Sequence, residues 1–247
     1  MFKLSILLTI GLATYHTDAA LITTYNNCPF TVWPGVYSNP DYPQAVGIGG
    51  DGGYQLDAYQ TKSFGVPDNW NSGRIWGRRS CDFSRPDTQA CEVGSCIGGL
   101  GCTQPGIPPV SLAEFTLVPG GQDNYDLSFV DGFNLPIAIA PSNTACAAPS
   151  CNVDINAQCP ASLTVTDNNG AAIACKSSCL ATGRSDYCCT GNHNTADTCP
   201  PNGIPSYSLF HDNCPAAYAY AYDERTGVLK TCTRNGASPD YQVTFCP

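Results

Sequence analysis

Hydrophobic and polar residues alternate with a period of two in several short runs of this chain. The runs are rich in β-branched and aromatic residues and cover 112–117, 125–130, 163–166 and 241–245. Gly, Pro and Asn clusters such as Asn168-Asn169-Gly170 separate them. This pattern predicts an all-β fold, most simply a sandwich.

One segment, 171–181, departs from the alternation and favours a helix. Cys175 and Cys179 lie four positions apart in it, which places them on one helical face. The sequence therefore predicts a short helix held by two disulfides.

The N-terminus has the features of a secretory signal peptide. Lys3 precedes an apolar run over 4–13, and small residues follow up to Ala19 and Ala20. The run is too short to span a bilayer, which takes about 20 apolar residues. We therefore expect a leader over 1–19, a mature domain over 20–247 without an integral membrane segment, and secretion to the extracellular space or cell wall.

Cysteine content points to the same compartment. The chain has 247 residues, enough to bury a core, and contains 16 Cys. An even, high count in a secreted chain indicates disulfides rather than zinc ligands. The cysteines concentrate in two regions, which predicts two disulfide-rich lobes, 79–109 and 152–215, on a strand-rich body.

Charge and motifs exclude several classes of function. The net charge is -9 and basic residues are scattered singly, so the chain has no basic patch for nucleic acid or an anionic membrane. It contains no phosphate-binding loop, dinucleotide fingerprint or calcium loop. We expect no cofactor and no metal, and we expect a monomer.

Six segments resemble the thaumatin-like proteins of the pathogenesis-related thaumatin and osmotin type. They cover 26–35, 73–78, 111–117, 126–134, 186–189 and 243–247. The resemblance implies the thaumatin fold, a central antiparallel β-sandwich with two smaller disulfide-stapled lobes. It also implies eight disulfides: Cys28 with Cys246, Cys81 with Cys91, Cys96 with Cys102, Cys146 with Cys232, Cys151 with Cys214, Cys159 with Cys175, Cys179 with Cys188, and Cys189 with Cys199.

The resemblance further implies an acidic cleft. Its lining of one Arg, one Glu and three Asp falls on Arg74, Glu114, Asp126, Asp131 and Asp223. We take Glu114 and Asp126 as a hypothetical catalytic pair and the other three as binding residues. The neighbouring Glu224 is the alternative to Asp223 as the fifth cleft residue. Glycosidic cleavage needs one protonated and one ionised carboxyl group, and converging carboxylates oppose each other's ionisation.

In this hypothesis Glu114 is the general acid, Asp126 is its partner and Asp131 is the competing partner. Arg74 holds a neighbouring carboxylate ionised. Asp126 and Asp131 lie five positions apart, so both reach one cleft only if the strand ends or bends near Val130. The competing interpretation of these charges is a structural ion-pair network.

Aromatic residues supply candidate sugar contacts. Tyr218, Tyr220 and Tyr222 alternate with Ala, so as a strand they share one face, either towards a sugar or against a neighbouring strand. Phe133 follows the Asp131-Gly132 turn and is a candidate ligand contact.

The functional hypothesis is a secreted protein that binds β-1,3-glucan of fungal-type cell walls and hydrolyses it as an endo-β-1,3-glucanase. Whether the protein is an enzyme stays open at this level. The alternatives are a glucan-binding antifungal protein without turnover and a protein-directed inhibitor.

Overall fold

The computed structural model describes residues 20–45, 52–234 and 239–247. The leader predicted over 1–19 lies outside the described residues. The strands are β1 Ala20–Asn26, β2 Trp33–Tyr37, β3 Thr61–Val66, β4 Gly73–Cys81, β5 Cys91–Val93, β6 Leu112–Thr116, β7 Gln122–Ser128, β8 Ile137–Pro141, β9 Ser150–Cys151, β10 Thr164–Thr166, β11 Ala172–Cys175, β12 Ala217–Tyr218, β13 Lys230–Thr233 and β14 Tyr241–Phe245. The helices are α1 Ser178–Thr182, α2 Ser185–Cys188 and α3 Tyr207–Asn213.

Two sheets form the body of the protein. The first has the order β3-β1-β14-β8-β9, and its strands β1 and β14 run parallel. The second has the order β12-β7-β6-β4-β2, with β13 pairing the first half of β7 and β5 pairing the end of β4. A separate hairpin, β10-β11, lies in the region of the second lobe. The all-β fold class is confirmed.

The core lies between the two sheets and depends on the alternation of their strands. Ile22 and Val243 of the first sheet are fully buried. Phe115 and Tyr125 of the second sheet are no more than 2% exposed. Tyr241 joins the sheets, since its ring centroid lies 5.4 Å from that of Phe115 and 5.3 Å from that of Tyr125. Residues at the intervening positions of β4, β6 and β7 point away from this core.

Disulfides tie the termini and the loops to this body. All eight predicted pairs are present and none of the sixteen cysteines is free. The Cys28–Cys246 bond spans 218 positions and closes the chain just beyond the parallel strands β1 and β14. Such a bond restricts the unfolded chain by roughly 5 kcal/mol in the loop-entropy model.

The helix predicted over 171–181 is wrong in its first half. Residues Ala172–Cys175 form strand β11, and the backbone of Cys175 exchanges two hydrogen bonds with that of Phe133. The helix begins at Ser178, where the hydroxyl of Ser177 accepts a hydrogen bond from the backbone of Leu180. Sheet pairing satisfies the backbone of this segment, so it overrides the local helical spacing.

The prediction that Tyr218, Tyr220 and Tyr222 lie on one face of a continuous strand is also wrong. Strand β12 ends at Tyr218, and the chain then turns. Tyr220 is buried in a small cluster with Cys189, Cys199 and Ile204 instead of following Tyr218 along one face. The two-residue alternation therefore reflects packing into two different environments.

Arg78 connects the body to the first disulfide-rich region. Its side chain is fully buried and donates hydrogen bonds to the carbonyl groups of Trp33, Pro34, Gly99 and Leu100 at 2.7–3.1 Å. Burial lowers the pKa of Arg78 to about 10, which leaves the guanidinium charged at neutral pH. Four carbonyl dipoles thus replace the water around this cation.

The described part of the chain contains no helix that is both long and apolar enough to cross a membrane.

Replacing Arg78 by Met should destabilise the fold strongly. The change leaves four buried carbonyl groups without their donor, and we expect the free energy of unfolding to fall by about 3 kcal/mol or more. Denaturant unfolding with intact disulfides measures the loss. The exposed Arg85→Met is the matched control and should change stability by less than about 0.5 kcal/mol. Equal stability of the two variants would contradict the role assigned to Arg78.

Candidate active site

The outer face of the second sheet carries the predicted charged residues. On β4, Arg74, Trp76 and Arg78 alternate outward, and on β6 Glu114 does so between buried neighbours. The first disulfide-rich region covers Trp76, which packs in a buried cluster with Cys96 and Cys102 of that region. Arg74 and Glu114 lie at the partly open end of the same face.

Strand pairing brings three of the predicted residues into a line across the sheet. Arg74 is the register partner of Glu114, and Glu114 is the register partner of Asp126. The Nε atom of Arg74 lies 3.0 Å from Oε1 of Glu114. We call Arg74, Glu114 and Asp126 the charged row.

The two carboxyl groups of the charged row have different environments. The pKa of Asp126 is raised to about 8, chiefly by burial and also by the charge of Glu114, while the charge of Arg74 opposes the rise. The pKa of Glu114 is also raised, chiefly by burial, with Arg74 again acting against it. Glu114 has the direct ion pair with Arg74, which favours its ionised form, whereas Asp126 holds its proton into the neutral range.

Asp131 lies near the charged row. Strand β7 ends at Ser128, and a turn at Val130 and Asp131 redirects the chain, so the strand does not carry Asp131 to the opposite face. Burial raises the pKa of Asp131 and the charge of Arg74 lowers it. The charge of Asp131 in turn raises the pKa of Glu114.

Asp223 was expected to line an open cleft, but its side chain is buried in the turn after β12. Its side chain is 1% exposed and accepts hydrogen bonds from the backbone of Ala219 at 2.9 Å and the hydroxyl of Tyr207 at 3.2 Å. It therefore holds the turn after β12 together. Glu224 is exposed, and its charge raises the pKa of Asp126, so Glu224 is the acid of this pair that acts on the charged row.

The expectation that Phe133 contacts a ligand is wrong for this structure. Phe133 is fully buried and its ring packs edge-on against Phe129, with centroids 5.2 Å apart. Its backbone bonds to Cys175 hold the second disulfide-rich region against the body. Its position after a turn favours exposure, but packing in the main core, including Phe129 and Cys175 of β11, buries it.

No group of three or more His, Cys, Asp or Glu side chains in the described ranges has the arrangement of a metal site.

Comparison with known proteins decides the family. Residues 26–247 match the Thaumatin family. The chain belongs to the thaumatin family. It is 43% identical to Pathogenesis-related protein 5 of Arabidopsis thaliana, over 98% of this chain and 95% of that protein. It is 41% identical to a Prunus avium protein named glucan endo-1,3-beta-glucosidase, over 99% of this chain and 97% of that protein.

Among solved structures, the thaumatin-like xylanase inhibitor TLXI aligns with a TM-score of 0.47 at 22% identity, over 92% of this chain and 99% of that chain.

In this thaumatin-family chain, sequence reasoning undervalued two residues at the charged row. Tyr218 pairs with Ser128 at the edge of β7, and its pKa is raised by burial and then by the charge of Asp126. Tyr37 is the register partner of Arg74 and extends the line of the charged row on the opposite side. The alternation around Tyr218 was visible in the sequence, but the pairing that brings Tyr37 to Arg74 was not.

The pKa of Asp126 should depend on the charges of its two neighbours in the charged row. We expect the Asp126 carboxyl group to titrate with a pKa near 8. Glu114→Gln should lower that pKa because a like charge is removed, and Arg74→Gln should raise it because a cation is removed. Carbon-detected NMR of the side-chain carboxyl groups measures both shifts. An Asp126 pKa near 4 in the unmodified protein would contradict the assignment.

The pH dependence of the free energy of unfolding is a second measure of the raised pKa of Asp126. Because the folded-state pKa of Asp126 is raised, the unfolded chain gives up this proton at a lower pH than the folded protein does. Its contribution to stability therefore declines as pH rises from about 4 to about 8. In Asp126→Asn this decline should be absent from the pH dependence of unfolding.

Proposed function

We propose that this chain is a secreted defence protein that binds β-1,3-glucan of fungal-type cell walls at the charged row and hydrolyses it. The observation that carries the proposal is the direct register pairing of Glu114 with Asp126, with an ion pair between Arg74 and Glu114. This arrangement provides one ionised and one protonated carboxyl group side by side, which is the requirement of a glycosidase.

Two further observations support the proposal. The Prunus avium relative named glucan endo-1,3-beta-glucosidase aligns over nearly the whole chain. Eight disulfides are consistent with an oxidising, extracellular environment and would preserve the protein outside the cell.

The proposed roles reverse the order expected from sequence. Asp126, with the pKa of about 8, donates its proton to the glycosidic oxygen as the bond from that oxygen to the anomeric carbon breaks. Glu114, ionised beside Arg74, attacks the anomeric carbon or stabilises its positive charge. Asp126, now ionised, then takes a proton from a water molecule as the water oxygen bonds to the anomeric carbon. Any bond between Glu114 and that carbon breaks in the same step, so both carboxyl groups return to their starting states.

Loss of Glu114 tests catalysis. Glu114→Gln should reduce the release of reducing ends from laminarin by about 100-fold or more, because the neutral amide neither attacks nor stabilises a cation. The matched control is Glu92→Gln on β5, which should retain activity. Activity of the unmodified protein should decline above about pH 8, where Asp126 loses its proton. Unchanged laminarin cleavage by Glu114→Gln would remove the catalytic assignment.

The stereochemistry of the product tests the spacing of the carboxyl groups. Directly opposed residues on antiparallel strands have Cβ atoms about 4.5–5.5 Å apart, a spacing that suits the about 5–5.5 Å between carboxyl groups in retaining glycosidases. We therefore expect the first product formed from laminarin to keep the β configuration. Proton NMR of the fresh reaction mixture distinguishes this from the α product of an inverting enzyme.

Glucan binding without turnover is the second candidate, and one observation favours it. A cavity of about 690 Å³ lies next to Tyr37, and none of the charged row lines it. Arg74 and Glu114 would then be a structural ion pair on a binding face. Retention of the protein on insoluble β-1,3-glucan without release of reducing ends identifies this function. Failure of both assays supports a protein-directed inhibitor instead.

A further inference from the structure

A cavity of about 690 Å³ lies on one side of β2. This volume is in the range of about 300–1,000 Å³ that small-molecule sites occupy. Its lining comes from β2 and the residues after it, including Tyr37, Ser38 and Gln44, and from the disulfide-closed loop that contains Leu100 and Thr103. We call this space the loop cavity.

The loop cavity lies in line with the charged row. Tyr37 lines the cavity and is also the register partner of Arg74, which pairs with Glu114. Adjacent strands are about 4.8 Å apart, so Tyr37 lies about 14 Å from Asp126 along a line perpendicular to the strands. A linear ligand that crosses the sheet over the charged row therefore reaches the loop cavity at its end.

The lining of the loop cavity fits a neutral ligand with hydroxyl groups. Among the residues that the structure describes, none of those lining the cavity is Asp, Glu, Lys or Arg. Tyr37 offers an aromatic ring, and Leu100 offers an apolar side chain that is 40% exposed. Ser38, Gln44 and Thr103 add hydroxyl and amide groups. Apolar faces combined with a few uncharged polar groups are suited to sugar rings and not to ionic ligands.

The walls of the loop cavity are held in place by the surrounding structure. The buried guanidinium of Arg78 donates to the carbonyl of Leu100 at 2.8 Å, and the Cys96–Cys102 disulfide closes the same loop. On the other wall, the hydroxyl of Ser38 donates to the side-chain oxygen of Gln44 at 2.8 Å. A cavity with fixed walls loses little conformational entropy when a ligand binds.

We propose that the loop cavity is a subsite for additional sugar units of the same glucan chain that crosses the charged row. This inference rests on the proposed function and adds a length preference to it. Oligosaccharides long enough to reach Tyr37 gain contacts in the loop cavity, whereas short ones occupy the charged row alone.

Binding of a laminari-oligosaccharide series tests the proposal. By calorimetry, the hexasaccharide should bind the unmodified protein at least about threefold more tightly than the trisaccharide, as expected for one additional ring contact. Leu100→Glu removes an apolar contact and places a charge among the uncharged described residues of the lining. It should abolish the hexasaccharide advantage and leave trisaccharide affinity unchanged. Thr103→Glu is a second variant at the exposed cavity rim and should act in the same way.

The matched control is Ile107→Glu, which is exposed to a similar extent and does not line the loop cavity. It should keep the full length dependence. Equal affinities for the hexasaccharide in the control and in both cavity variants would overturn the subsite and leave glucan binding at the charged row intact. Failure of the unmodified protein to bind any member of the series would overturn the subsite together with the proposed function.

Discussion

The antiparallel register of β4, β6 and β7 is the constraint on which the structure depends. A shift of one residue along any of these strands would turn its inward side chains outward. Phe115 and Tyr125 would leave the core, and Glu114 and Asp126 would enter it as unpaired acids. The same register therefore maintains the hydrophobic core on one face and the charged row on the other.

The regions around this sheet are held by polar contacts as well as by disulfides. Arg78 anchors the loop before Cys102 through carbonyl groups, and the backbone of Phe133 anchors the second disulfide-rich region through Cys175. Both anchors are buried, where hydrogen bonds are not exposed to competition from water. The segments on both sides of the open face of the sheet are thus fixed to the body by buried hydrogen bonds.

The charged row combines stabilising and destabilising interactions in a small area. Arg74 lowers the pKa of both Glu114 and Asp126, whereas burial raises both. Asp131 further opposes ionisation of Glu114, and Glu224 opposes that of Asp126. Such an arrangement costs stability at neutral pH, which is typical of sites that carry out chemistry. The described residues that line the loop cavity are uncharged, so the cavity contrasts in chemistry with the charged row beside it.

Local pattern was sufficient to predict strands β6, β7, β10 and β14, and family motifs were sufficient to predict the cysteine pairs and to single out the residues of the charged row. Two-residue alternation indicates burial directly, and Glu114 and Asp126 each lie within a short continuous motif, 111–117 and 126–134. Long-range packing decided the rest. It buried Phe133 under β11, converted Asp223 into a turn anchor, and placed Tyr37 beside Arg74 across 37 positions of the chain. These outcomes depend on which segments approach one another in space, and the energies involved come from contacts that no local window of the sequence contains.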